Sequence, residues 1–251
     1  MTHTPQHPLN YRRRFGFAIA AAGLAFLLLA ASPVLAALLY RAPSFDVRIV
    51  DARTGKGIER AIVEVIWDKL AYNIFHADFS TMEQRLYVTD GNGAFQAPAM
   101  TSMHILSEFA SVHFLVRHPL YETRRVSWSR QTLDALQKEG PGARLQMPLD
   151  ATVSSARPGS IVVSVPVLTL SEKYRTSVGV ASPHGMLYGE FDMDGPAYVE
   201  AAKKLGVPVD IEAVFREWES IASRFPQKSL QYSLESGERK IRAILQGGKG
   251  P

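Results

Sequence analysis

The chain has 251 residues, of which 46% are hydrophobic, 21% are charged and none is cysteine. Without cysteine there is no disulfide, thiolate metal site, thiol nucleophile or lipidated cysteine, so the fold must hold by packing alone. The formal charge of +4 is no sign of nucleic-acid binding: of 28 Lys and Arg, the three at Arg12-Arg13-Arg14 stand apart and leave 25 against 24 Asp and Glu, whereas nucleic-acid recognition wants a concentrated basic face.

Phe15 to Tyr40 is an unbroken apolar run of about 26 residues, and an α-helix needs roughly 20 to cross a bilayer. Three arginines precede it and no acid occurs among the first forty residues, so the positive-inside bias places residues 1–14 in the cytoplasm and the chain beyond residue 40 on the far side of the membrane. The expectation is a single-pass inner-membrane signal anchor over 15–40, with the remainder periplasmic or extracellular. A cleaved signal peptide is the alternative, with Val34-Leu35-Ala36 at signal-peptidase spacing. The continuing apolar stretch Ala37-Leu38-Leu39-Tyr40 favours the anchor.

From Ser44 to Ala156 the pattern has the period of strands. Phe45-Asp46-Val47-Arg48-Ile49 alternates apolar and charged residues, as one row on a core and one in solvent requires. Asp51-Ala52-Arg53-Thr54-Gly55-Lys56-Gly57 is turn chemistry, and Ala61 to Trp67 is a β-branched run. Arg85 to Thr89 and Ala94 to Ala97, separated by Asp90-Gly91-Asn92-Gly93, read together as a β-hairpin. Val112 to Arg117, Thr123 to Trp128 and Arg144 to Leu149 supply further strands. Many short strands without alternating helices predict an antiparallel β-sandwich.

Val50-Asp51-Ala52-Arg53-Thr54-Gly55-Lys56-Gly57-Ile58-Glu59-Arg60-Ala61-Ile62-Val63 resembles the opening of the carboxypeptidase regulatory-like domain, a strand, a "D-x-x-T-G-K-P-I" turn and an "A-x-V" strand. Val88-Thr89-Asp90-Gly91-Asn92-Gly93-Ala94-Phe95 is similar to that family's "T-D-x-x-G-x-F" hairpin, and His118-Pro119-Leu120-Tyr121 to its "x-P-G-Y" step. Gly57 stands where the family usually has proline, and Leu120 where it often has glycine. The resemblance covers under half of the chain. It implies a transthyretin-like sandwich of about seven strands that serves in folding, adhesion or partner binding and not in catalysis. The zinc-binding His-x-x-Glu of the associated peptidases is absent. So is the Tyr-Arg-Gly-Ser motif of hydroxyisourate hydrolases, of which Tyr174-Arg175-Thr176-Ser177 is a partial echo.

Candidate chemistry outside the motifs is sparse. His104, His113 and His118 cluster in sequence, but His104 and Glu108 lack the second histidine of a helical zinc site, and His113 falls on the strand face opposite the core. Asp192-Met193-Asp194-Gly195 runs into Pro196 without the later glutamate of a calcium loop. It reads instead as helix entry, with Asp194 near the N-cap. No metal, cofactor or catalytic residue is assigned. The segment Asp68 to Gln84 reads as a long loop carrying Tyr72, Phe75, His76, Asp78 and Phe79, either a ligand or partner site or a cover over an open edge. Thr101 to Ser111 is a second such insertion.

Beyond residue 157 the character changes. Pro158-Gly159 breaks the chain, Ser160 to Thr169 alternates like a strand, and helices follow: Pro196 to Leu205, Ile211 to Arg224, and Ser229 to Gln246, where Ser236-Gly237 could equally turn a hairpin. Ile211, Val214, Phe215, Trp218, Ile221, Ala222 and Phe225 form one apolar stripe, which docks on the sandwich, on a partner or on the membrane surface.

The expected organisation is therefore 1–14 cytoplasmic, 15–40 anchor, 44–156 sandwich and 157–251 strand plus helical extension. The expected function is a non-enzymatic exported protein held by the bilayer that binds an envelope protein or cell-wall component. The alternative is a hydrolase or small-ligand-binding protein with its site under the 68–84 loop, using His76, Asp78 or Glu83.

Overall fold

The computed structural model describes residues 39–72, 77–103, 107–146, 151–177, 190–225 and 228–247. Eleven strands are present among them: β1 Leu39–Ala42, β2 Ser44–Asp51, β3 Ile62–Tyr72, β4 Ala77–Val88, β5 Ala94–Ala97, β6 Met100–Met103, β7 Ser107–His118, β8 Tyr121–Ser129, β9 Arg144–Gln146, β10 Thr152–Arg157 and β11 Ser160–Val167. The helices are α1 Arg130–Glu139, α2 Leu170–Ser177, a π-helical turn Glu190–Asp194, α3 Gly195–Leu205, α4 Ile211–Arg224 and α5 Lys228–Leu245. The protein is mainly β with a helical C-terminal part.

A five-stranded sheet in the order β5-β2-β11-β10-β9 faces a four-stranded sheet in the order β4-β3-β7-β8. Period-two alternation sends Phe45, Val47 and Ile49 from one sheet, and Val63, Val65, Trp67, Val112 and Phe114 from the other, into a shared core. At its centre Phe114 meets Phe45 and Trp128 edge-on, with ring centroids 5.4 and 5.2 Å away. β1 and β6 form a separate ribbon, Leu39 opposite Met103 and Ala42 opposite Met100, which prolongs the β2–β5 pair at the end where Ser44 lies.

Several expectations are corrected. The sandwich is not purely antiparallel: β11 pairs parallel with β2, from Ser160 opposite Ser44 to Val167 opposite Asp51. Alternation marks which face of a strand is buried and carries no sign of direction. β4 and β5 are not a hairpin. β4 pairs with β3, β5 pairs with β2 in the other sheet, and the Asp90–Gly93 turn carries the chain between sheets, with Tyr87 stacked on Phe95 at 5.0 Å. The strand expected after Pro158-Gly159 is β11, which completes the five-stranded sheet between β2 and β10. Leu39 and Tyr40, expected at the end of the apolar span, belong to β1. The rest of that run lies outside the described residues, and among the described residues no helix is long and apolar enough to cross a membrane.

The two turns that carried the family resemblance lock together at one end of the sandwich. The buried Thr89 hydroxyl accepts from Ala61 N at 2.8 Å and donates to Ile58 O at 2.6 Å. Asp51 turns its own loop: its carboxylate accepts from the backbone of Arg53 and Thr54 and from the Thr54 hydroxyl, and it meets the Tyr121 side chain. Burial alone would raise its pKa, but these hydrogen bonds hold it below the usual value. Gly57 has the Asn92 carbonyl so close that a Cβ would sit 1.9 Å from its oxygen. That contact leaves no room for a side chain at position 57.

A second core lies on the outer face of the four-stranded sheet at the same end. Ile62 and Leu86 from the sheet and Leu120 from the β7–β8 turn meet Tyr198, Val214, Phe215, Trp218, Ile221, Leu234 and Ile241. The Trp218 indole donates to Pro119 O at 2.8 Å, and the Tyr198 hydroxyl to Arg60 O at 2.9 Å. Arg60 is the described non-glycine residue with positive φ, 60°, so the helical layer grips a strained carbonyl. Asp194 occupies the α3 N-cap position, yet its side chain makes no cap bond. It turns instead to Thr123 and Arg117, and burial raises its pKa. Ser236-Gly237 is no turn; both residues are inside α5, where Gly237 presses on the Phe191 carbonyl.

A Cβ at Gly237 would come within 2.1 Å of Phe191 O. Gly237→Ala and Gly57→Ala are expected to destabilise the fold by about 1–3 kcal/mol each through overpacking. Gly91→Ala, which meets nothing within 4 Å, should be close to neutral; urea unfolding of the three variants checks this.

Candidate functional site

The helical layer covers only part of the four-stranded sheet. α3 packs on β3 and β7 around Ile62 and Arg117, where Glu64 accepts from Arg117 Nη1 at 2.6 Å and also from the Gln84 amide. Farther along the same face, Asp68, Leu70, Glu108 and Ser111 are half-buried and Phe79 is open to solvent. This uncovered half is the candidate site.

The segment expected as a loop from Asp68 to Gln84 is mostly strand: β3 continues to Tyr72 and β4 begins at Ala77. Irregular register at Asp68 shifts the alternation, so the apolar period that reveals a strand is broken here. Tyr72 pairs with Ala77; Phe75, His76 and His104 lie outside the described residues. Asp78 and Phe79 are neighbours on β4 and project to opposite faces, so the two do not form one site. Phe79 is 73% exposed and sits opposite Leu70. Glu83 pairs with Arg85 at 2.5 Å on the other face.

Leu70, Phe79, Glu108, Phe109, Ser111 and Arg130 line an open cleft of about 510 Å³. Its cation is compensated, because Arg130 gives Nη1 to Glu108 at 3.1 Å and Nε to Asp134 at 3.3 Å. Ser129 caps α1 at the rim by accepting from Thr132 N. Helix α1 itself was not expected; the cap and the buried Leu133 and Leu136, three residues apart, were its signals.

Beside the cleft, register brings together three residues that sequence reading did not join. His113 Nε2 is 2.8 Å from Asp68 Oδ2 and 3.0 Å from Ser111 Oγ. A serine-histidine-acid relay sets the acid on one imidazole nitrogen and the hydroxyl on the other, so that a proton passes through the ring. Here both groups meet the same nitrogen, while Nδ1 is buried and finds no protein partner among the described residues. The trio is a cross-strand polar latch, extended by Thr81 Oγ1 to Asp68 Oδ1 at 3.2 Å. Ser111 and His113 share a face at spacing two, which was legible; Asp68 enters through the register shift, which was not.

The remaining expected residues lie elsewhere. Val214, Phe215, Trp218 and Ile221 are buried in the second core, so the α4 stripe is covered within the molecule. His118 ends β7 against Tyr121 and Tyr198, its Nδ1 accepting from Leu120 N at 3.2 Å.

No family model matches the chain, and no characterised protein matches its sequence. Among solved structures the chain is similar to the group B streptococcus pilus 2b backbone protein, with 13% identity over 53% of this chain and 43% of that one at a TM-score of 0.28. It is also similar to an intradiol ring-cleavage dioxygenase from Tetranychus urticae, with 12% identity over 52% of this chain and 81% of that one at 0.30. The chain spans less than half of the pilus protein's length. Overlap this slight decides neither role.

Burial lowers the His118 pKa to about 4. An unfolded chain titrates this group near 6.5, so it takes up a proton there that the folded state refuses. The stabilising contribution is whole above pH 6.5 and is lost as pH falls toward 4, by roughly 2–3 kcal/mol. His118→Gln, which keeps a side-chain acceptor for Leu120 N, should flatten this slope in urea titrations between pH 4 and 7.

Proposed function

We propose that the chain is a membrane-tethered, exported β-sandwich of the carboxypeptidase regulatory-like kind that works by surface contact and not by bond-making chemistry. The observation that carries this reading is the uncovered half of the outer sheet face, where Phe79 stands 73% exposed beside the open cleft. A bare aromatic on a rigid strand is a contact surface, since burying it on another body releases apolar area from water. The one serine, histidine and acid that meet among the described residues converge on a single nitrogen, which is not the arrangement of a hydrolytic relay and favours the contact reading.

Support for the tether comes from the sequence, the apolar run after Arg12-Arg13-Arg14. Because the chain has no cysteine, one introduced thiol reports topology without background. Tyr232→Cys, at a residue 68% exposed on the helical layer, is expected to react with a membrane-impermeant maleimide in intact spheroplasts, while Asn10→Cys reacts only after lysis. The opposite labelling pattern overturns the export reading.

A further inference from the structure

The contact surface and the tether lie at the same end of the molecule. β1 starts at Leu39, so no spacer separates the apolar run from the first hydrogen-bonded strand. Its four residues span roughly 13 Å at the rise of a β-strand and lead directly into Ser44, the first residue of β2. β1 also lies against β7. The β7 residues nearest its start, Ser107 and Glu108, pair with Ala71 and Leu70, and Leu70 pairs with Phe79. The chain therefore enters the fold at the end that carries the cleft, whereas the helical layer caps the other end through Ile62, Pro119 and Leu120.

We propose that the Phe79 cleft rests on the bilayer, so that the partner of this surface is the lipid interface of the membrane holding the N-terminal anchor. This rests on the membrane-tethered reading. With the span ending where β1 begins, the sandwich has no slack to swing away from the membrane, and its entry end is held at headgroup depth. Phe and Leu on the apolar face of an interfacial element bury into the headgroup–acyl boundary, which takes their area out of water. Phe79, opposite Leu70 on the outer face of the sheet, supplies such a side chain at the end of β4 where the chain enters the fold. Arg130 is paired with both Glu108 and Asp134, and two carboxylates to one guanidinium give the cleft no attraction to anionic lipid. Fixing this end on the membrane aims the helical layer outward.

The test uses the full chain reconstituted in phosphatidylcholine vesicles with no other protein, carrying a nitroxide at Phe79→Cys or at Tyr232→Cys. Both positions are exposed, so neither substitution is expected to alter the melting curve. At 79, relaxation by bilayer-dissolved oxygen should exceed relaxation by a water-soluble nickel chelate; at 232 the order should reverse. Adding phosphatidylglycerol should change neither. If the chain survives alkaline carbonate extraction but position 79 is as open to nickel as 232, the bilayer contact is refuted, the tether stands, and the surface belongs to a protein partner. If carbonate strips the chain from the vesicles, the tether and the contact fall together.

Discussion

One buried hydroxyl organises this molecule. Thr89 Oγ1 sits between Ala61 N and Ile58 O, while the backbones of residues 89 and 61 and of residues 60 and 89 exchange further bonds at 3.0 and 3.1 Å. An unpaired buried donor costs about 1–3 kcal/mol, so these groups are satisfied together or the end of the sandwich opens. The lock holds the turn after β2 against the turn after β4, and each of those turns carries the chain from one sheet to the other. It thereby fixes how the sheets face each other, and it forces Arg60 into a left-handed conformation whose carbonyl is presented outward.

That carbonyl, with the one at Pro119, is where the helical layer attaches. Tyr198 and Trp218 donate to the two, and the apolar faces of α3, α4 and α5 close around them. Attachment at turns instead of along the strands explains the uneven coverage of the outer face. Near the lock, Ile62 is fully buried and the Glu64–Arg117 pair is enclosed, a charge arrangement that tolerates burial because each partner is hydrogen-bonded. Away from it, Asp68, Ser111 and His113 remain half-buried and are tied across the strands by short polar bonds. The sheet needs such ties where no helix presses on it.

Legibility in the sequence followed the physics of each region. Strands β2, β3, β7 and β8 were visible because one side of each faces a dry core and the other does not, which is what alternation reports. Helices α3, α4 and α5 were visible through the spacing of Val214, Trp218 and Ile221 and through Pro196 and Gly206. The parallel β2–β11 pairing and the passage of residues 90–93 between sheets were invisible, since turn chemistry sets how a chain bends and not which sheet receives it. The outer extension of β3 and β4 was hidden for another reason. With Met82 passed over in the pairing of β3 with β4 and Ala110 in that of β3 with β7, the apolar period of the paired strands breaks though the hydrogen bonding continues. Of the residues singled out there, Phe79 lines the cleft and Asp78 points to the opposite face of β4, while Asp68, Ser111 and His113 needed the register before they could be joined.

The same loss of pattern bears on function. Toward this end of the sheet polar pairs tie three strands and a helix: Thr81–Asp68 joins β4 to β3, Asp68–His113 joins β3 to β7, and Arg130–Glu108 joins β7 to α1. Exposed polar bonds of this kind contribute little stability each, so selection for stability alone is a poor reason for them. Their one evident product is a rigid platform that carries Phe79 and Leu70, on the side where the chain arrives from the apolar run. Helix α1, through Arg130 and Asp134, flanks this surface, and Phe79 and Leu70 are left as its apolar part.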